Sequence, residues 1–233
     1  MKISVITGAT SGLGFELAKE MVKKGKNIII IGRREEKLKE ALEELSIINP
    51  EIKVIPYKMD ISKENEINDF VKYLDQKSYE IEFLFNNAGL GVFGKIETIT
   101  MEKIETVFGA NLIGLIMITS KIASYMKENK NLSRIVNILS TAALKGKGGE
   151  SLYCASKWGA LGFLKALTEE LKEDNIEVLN IYPGGMNTEF WEKTSLSINT
   201  EKFMTAKDVA VRIVDLSLDL SILVSDITIN RAK

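Results

Sequence analysis

Tyr153 and Lys157 stand four residues apart in Tyr153-Cys154-Ala155-Ser156-Lys157, a spacing that sets both side chains on one face of a helix, one turn from each other. A phenol beside an ammonium is a pair for moving a proton, because the positive charge favours the phenolate and lowers the tyrosine pKa. The chain contains no histidine, which removes a Ser-His-Asp triad, a Cys-His pair and a histidine-ligated zinc. Proton transfer is left to Tyr, Lys, Asp or Glu. A bare Tyr-x-x-x-Lys also occurs as an ordinary surface pair, so its meaning depends on what converges with it. Ser140 closes Ile138-Leu139-Ser140 and would offer its hydroxyl to a substrate oxygen at the carboxyl end of a strand. Asn111 interrupts the apolar run Gly109-Ala110-Asn111-Leu112-Ile113. A buried amide there needs partners, and either a bound water or a loop carbonyl would serve.

A second group of residues suits phosphate. Thr7-Gly8-Ala9-Thr10-Ser11-Gly12-Leu13-Gly14 follows a β-branched run and opens an amphipathic one. Its Gly-x-x-x-Gly-x-Gly spacing would let backbone amides approach a pyrophosphate whose charge meets a helix N-terminus. The same glycines also suit a plain strand-to-helix turn. In Ile31-Gly32-Arg33-Arg34, Gly32 stands where an NAD-binding domain usually offers a carboxylate to the ribose 2′-hydroxyl. Arg33 and Arg34 can instead pair with a 2′-phosphate, which favours NADP(H). The competing reading is that they only start a charged helix.

These residues must be positioned by a scaffold, and the hydrophobic pattern predicts one. Short β-branched runs at Ile3–Thr7, Asn27–Ile31, Lys53–Tyr57, Ile81–Asn86, Arg134–Leu139, Glu177–Ile181 and Ser225–Ile229 read as seven strands. Apolar residues at three- and four-residue spacing predict helices at Gly12–Lys24, Glu35–Leu45, Lys63–Gln76, Met101–Lys127, Ser151–Lys172 and Ala206–Ser217. Alternation of the two predicts an α/β fold, a doubly wound parallel sheet of Rossmann-like type with helices on both faces and ligands at the carboxyl ends of the strands. A length of 233 residues fits one domain. Tyr182–Thr205 lacks periodicity and reads as a loop over the site, from about residue 183 to 205, with Phe190, Trp191, Leu196 and Phe203 as an apolar surface.

Composition narrows the partners. Thirty-one basic and 32 acidic residues give a net charge of -1, and they lie along the chain without a basic stripe, which argues against nucleic acid. The apolar start is too short for a signal peptide, and no later run approaches the ~20 residues that span a bilayer. A cytoplasmic protein without a membrane partner is the expectation. The single cysteine, Cys154, excludes an intramolecular disulfide and reads as a small helix residue.

Taken together, the chain resembles the short-chain dehydrogenase/reductase family along nearly its whole length. The matching pieces, in order, are the Thr7–Gly14 turn, Asp60, Asn86-Asn87-Ala88-Gly89, Asn111, Ser140, Tyr153 with Lys157, and Pro183-Gly184 followed by Thr188. The resemblance implies that Gly8, Thr10, Ser11, Gly12, Leu13 and Gly14 hold the cofactor phosphates. It implies further that Asp60 and Ile61 flank the adenine, that Asn87, Ala88 and Gly89 hold the adenosine ribose region, and that Pro183, Gly184 and Thr188 border the nicotinamide. Tyr153 would be the general acid of reduction and Ser140 would orient the carbonyl. Lys157 would hold the nicotinamide ribose and depress the Tyr153 pKa, and Asn111 would complete a proton relay through water. No metal is required. The expected activity is NADP(H)-dependent hydride transfer between nicotinamide and a small carbonyl or alcohol, by a homodimer or homotetramer. Two other readings stand beside it: a 3-oxoacyl-carrier-protein reductase of fatty acid synthesis, and an NADP-sensing binding protein without turnover.

Overall fold

The computed structural model describes residues 1–129, 131–191 and 199–232. The apolar runs form strands β1 (Lys2–Thr7), β2 (Ile28–Gly32), β3 (Val54–Lys58), β4 (Glu80–Asn86), β5 (Ser133–Ile138), β6 (Ile176–Pro183), the two-residue β7 (Met186–Asn187) and β8 (Met204–Thr205), and β9 (Asp226–Ile229). Seven of them make one parallel sheet in the order β3-β2-β1-β4-β5-β6-β9, while β7 pairs with β8 apart from it. Strand β2 is buried throughout, as a strand covered on both faces must be, and its sequence is accordingly an unbroken apolar run rather than an alternation.

Helices α1 (Gly12–Lys23), α2 (Glu35–Ile48), α3 (Glu64–Gln76), α4 (Met101–Phe108), α5 (Leu115–Met126), α6 (Ser151–Glu170) and α7 (Ala206–Leu218) connect the strands. One core, with Leu17, Met21, Leu38, Ile213 and Val214, lies between the sheet and α1, α2 and α7. The other, with Phe70, Ile118, Ile122 and Leu164, lies between the sheet and α3, α5 and α6. The sequence-based strands and helices agree with these elements to within a few residues. The strand order reverses between β1 and β4, so the carboxyl ends of those strands open a crevice at the switch point.

Two expectations need correction. The helix predicted over Met101–Lys127 is broken by a π-helical turn, Gly109–Gly114. Gly114, which closes that turn, packs tightly: a Cβ on it would lie 2.6 Å from the Ile61 carbonyl oxygen, so the helix approaches the segment after β3 at a distance only glycine allows. An extra residue in one turn re-aims the residues it contains, Asn111 among them. Second, Met101–Met126 is long and apolar enough to cross a membrane by length and composition, contrary to the expectation that no run comes near it. Its apolar content has another use here, since Leu115, Ile118, Ile122, Ala123 and Met126 are buried in the core over the sheet.

The amino end of β5 carries a feature the sequence reading passed over. Arg134 is 1% exposed, and its Nη1 donates to the carbonyls of Leu216 (3.0 Å), Ser217 (2.9 Å) and Asp219 (3.0 Å). Its Nε donates to Glu177 at 2.8 Å and its Nη2 pairs with the same carboxylate. One guanidinium thus satisfies carbonyls that the end of α7 leaves without intrahelical partners.

Candidate active site

At the carboxyl end of β1 the chain turns through Gly8 (φ 64°) and Gly12 (φ 54°), both in the left-handed region that glycine enters without steric cost. Gly14 meets a different demand. A Cβ there would lie 2.2 Å from the Gly8 carbonyl oxygen and 2.3 Å from Asn87 Nδ2, so α1 can start against the turn only without a side chain. Thr7 Oγ1 accepts from the amides of Asn87 and Ala88, both at 3.0 Å, and Asn87 Nδ2 donates to the carbonyls of Thr7 (3.0 Å) and Gly8 (3.1 Å). Asn87 therefore commits both amide hydrogens to bracing the turn; any ribose contact from them would require breaking that brace. Ser11, at the N-cap of α1, makes no side-chain cap, and the first turn holds no acidic residue. The helix start thus keeps its partial positive charge and uncapped amides, a donor set that fits a pyrophosphate.

Beyond the turn, a Cβ on Gly32 would lie 2.6 Å from Thr10 Cγ2, so Thr10 closes over the end of β2 where an acidic side chain would otherwise stand. Arg33 is exposed and its Nη1 lies 3.7 Å from Asp60 Oδ2. Arg34, also exposed, is the N-cap of α2. Burial alone would raise the Asp60 carboxyl, yet hydrogen bonds from the Ser62 amide and hydroxyl, with Arg33 and Lys63 nearby, hold it below its ordinary value. Ile61 is 7% exposed and belongs to the core. Gly89 is exposed beside Ala88. Pro183 ends β6, the Gly184 amide donates to Ile229 O at 2.9 Å, and a Cβ on Gly12 would lie 3.8 Å from Thr188 Cβ. Thr188 therefore faces the glycine turn across the crevice.

The candidate acid–base residues lie after the carboxyl end of β5 and in the first two turns of α6. Ser140 ends the segment after β5, and its Oγ accepts from the Ala142 amide at 3.1 Å. Tyr153 is 8% exposed. Burial raises its phenol well above the usual range; the hydrogen bond from Ser140 opposes that rise, and the charge of Glu150 adds to it. Lys157 is 4% exposed, its Nζ donates to Ile138 O at 3.1 Å, and it lies 5.8 Å from the Tyr153 ring centre. Burial holds its ammonium at about 8. The expectation that Lys157 lowers the Tyr153 pKa is therefore not what this structure shows. Loss of hydration is the leading influence on both groups, and it raises the phenol while lowering the ammonium.

Asn111 sits in the widened turn, fully buried. Its Oδ1 accepts from the Leu90 amide and its Nδ2 donates to Leu90 O, each at 2.8 Å, and to Ser156 Oγ at 3.1 Å. The side-chain amide is thus taken up by protein rather than left for water. A Cβ on Gly89 would lie 3.1 Å from Asn111 Oδ1 and 3.7 Å from Lys157 Nζ, so Asn111 holds the loop that borders Lys157.

Three contributors escaped sequence reading. Thr7 carries the hub of the turn's hydrogen bonds, although it stood in plain view at the head of the motif. Glu150 has a buried Oε2 with no hydrogen bond, 3.8 Å from Lys147 Nζ, and burial pushes its carboxyl up. Phe93, 6% exposed, packs on Tyr153 with ring centres 5.5 Å apart. Nothing in local pattern marks either. Of the aromatic loop residues, Phe190, Trp191 and Phe203 are in ring contact, whereas Leu196 lies outside the described residues.

Comparison with known proteins agrees with this arrangement. The model of the short chain dehydrogenase family matches residues 2–199. The 3-oxoacyl-(acyl-carrier-protein) reductase of Thermotoga maritima is 31% identical over 228 residues, covering 94% of this chain and 92% of the relative. A short-chain dehydrogenase/reductase from Vibrio parahaemolyticus superposes with a TM-score of 0.84 at 35% identity, over 99% of this chain and 96% of that one. A variant of the actinorhodin polyketide ketoreductase, solved with NADPH, gives a TM-score of 0.86 at 26% identity, over 98% of this chain and 95% of its own. A glycine turn at β1, a serine, tyrosine and lysine gathered at the ends of β5 and α6, and a family match over most of the length lead to one conclusion: the chain belongs to the short-chain dehydrogenase family of oxidoreductases.

Proposed function

We propose that the protein is an NADP(H)-dependent carbonyl reductase in which Tyr153 gives the proton. The observation that carries this reading is the convergence of Ser140, Tyr153 and Lys157 on one buried spot at the carboxyl ends of the strands, beside the uncapped start of α1. The nicotinamide, when bound, supplies the hydride. The chain's own part is to hold the carbonyl oxygen between the Ser140 and Tyr153 hydroxyls and to pass it the phenolic proton as negative charge develops there. Tyr153 is protonated at neutral pH, as an ordinary tyrosine is, and burial only raises its phenol further. Asn111 and Thr7 act at one remove, by fixing the loop beside Lys157 and the glycine turn. Oxidation of NADPH over a panel of ketones, aldehydes and 3-oxoacyl thioesters tests the reading. Tight NADPH binding without turnover of any of them would favour the sensor instead.

Preference for NADP(H) rests on Arg33, with Arg34 beside it. Arg33→Ala should raise the KM for NADPH at least tenfold, the loss of one charge-assisted contact of about 1.5 kcal/mol or more, and leave the KM for NADH nearly unchanged. Equal losses for both would refute the assignment. Its ion pair with Asp60 is too exposed to matter for stability and serves to aim the guanidinium.

A pH dependence follows from Lys157. With its ammonium held at about 8, the charged form exists below that value and is lost as pH rises through it, while Tyr153 stays protonated. The kcat/KM for NADPH should therefore fall above about pH 8, measured up to about pH 10.4, the ordinary lysine pKa. A profile that is flat until the ordinary lysine value would show that the ammonium is not needed.

A further inference from the structure

The reductase reading leaves the substrate's substituents open, and the rings around Tyr153 supply one. Phe93 comes from the loop after β4, and Phe190 and Trp191 from the short helical turn that follows β7. Phe93 and Phe190 both meet the Tyr153 ring edge to face, with centres 5.5 and 5.7 Å away. They lie 5.7 Å from each other, Trp191 stacks on Phe93 at 5.3 Å, and Phe190 meets Trp191 at 5.3 Å and 84°.

This wall is built rather than accidental. A Cβ on Gly91 would lie 2.4 Å from Phe93 Cζ and 2.7 Å from Phe190 Cζ, so that glycine makes room for two rings at once. The Trp191 indole is anchored by its Nε1 donating to Met186 O at 2.9 Å. That hydrogen bond uses the wall's sole polar group, since neither phenylalanine has one. The wall can therefore recognise shape and π-character but has no free hydrogen-bonding group for a hydroxyl or an anion. Phe93 is buried, whereas Phe190 and Trp191 stay partly exposed, so their open faces are the ones a ligand can reach. A second ring cluster, Tyr57, Phe70, Tyr73 and Tyr79, packs on the core side of β3 and α3; the rings at Tyr153 differ from it in standing beside the candidate proton donor.

We propose that the physiological substrate carries an aryl group on its carbonyl carbon, seated against Phe190 and Trp191 while the carbonyl oxygen lies at Ser140 and Tyr153. The proposal rests on the reductase reading for the place of the oxygen. A flat ring gains edge-to-face and offset contacts that a saturated ring of similar area does not.

The test compares acetophenone with cyclohexyl methyl ketone in the wild type and in Phe190→Leu. The two ketones differ in intrinsic reactivity, so the quantity read is the change in their kcat/KM ratio. It should fall roughly two- to twelvefold in Phe190→Leu, the range expected for one aromatic pair. An unchanged ratio, or a 3-oxoacyl thioester preferred over acetophenone, would overturn the proposal. A binding measurement separates its failure from that of the reductase reading. The chain has two tryptophans, so Trp158→Phe leaves Trp191 as the sole indole, and its fluorescence can be titrated with 1-phenylethanol and 1-cyclohexylethanol in the presence of NADP. A saturating change at several-fold lower concentration of the phenyl alcohol supports the aryl site even if no ketone turns over. Equal midpoints, or no change with either, count against it even if ketones are reduced.

Discussion

Tyr153→Phe should cut ketone reduction by about 10²–10⁴-fold, the usual contribution of a positioned general acid, while NADPH binding and the melting temperature stay close to those of the parent. The substitution removes one oxygen and leaves the ring, so the edge-to-face contacts with Phe93 and Phe190 keep the wall in place. What is lost is the proton source facing Ser140. A second group could replace it only if it reached the same oxygen. Lys157 Nζ is held by Ile138 O, and Glu150 is a carboxyl whose buried oxygen makes no hydrogen bond. Stopped-flow NADPH oxidation with a saturating ketone would check this. Residual turnover within about tenfold of the parent would mean that Tyr153 is not the acid and that Glu150 or water serves instead.

Replacing Arg134 by Met should lower stability by about 3 kcal/mol and leave kcat and KM of the folded protein unchanged. Removal strands the carbonyls that end α7 and leaves Glu177, 21% exposed, without its partner; that partial exposure places the loss at the lower end of the range for a broken buried pair. The kinetic constants are spared because Arg134 lies at the amino end of β5, whereas Ser140 follows that strand's other end, so its loss weakens the sheet at the end away from the chemistry. Urea unfolding with parallel kinetics would measure both. A loss below about 1 kcal/mol would show that water replaces the guanidinium at little cost.

Much of this molecule was readable before its structure. Repeated β-branched runs with amphipathic stretches between them specify strands and helices because each must bury a face, and a parallel sheet follows from their alternation. The glycine turn, Ser140, Tyr153 and Lys157 were legible because each follows or opens an element whose end is marked in the sequence. Asn111 was visible as an amide in an apolar run, but its partners were not. Leu90 and Ser156, which take up its hydrogens, lie 21 and 45 residues away, and the π turn that holds it is not marked by any local pattern.

The sequence by itself therefore determined the fold class and the cofactor-binding end, since those depend on periodicity and on residues within one strand–turn–helix unit. The tertiary structure alone decided the burial of the titratable groups and the gathering of Phe93, Phe190 and Trp191 at Tyr153. Desolvation is set by what surrounds a group in space, so the upward direction of the Tyr153 shift comes from its burial in the packed molecule and not from its neighbours in the chain. Arg134 could be read as buried only when the end of α7 was seen to lie upon it. Proximity in the chain fixes local geometry, whereas burial is a property of the whole packed molecule, and pKa and specificity follow burial.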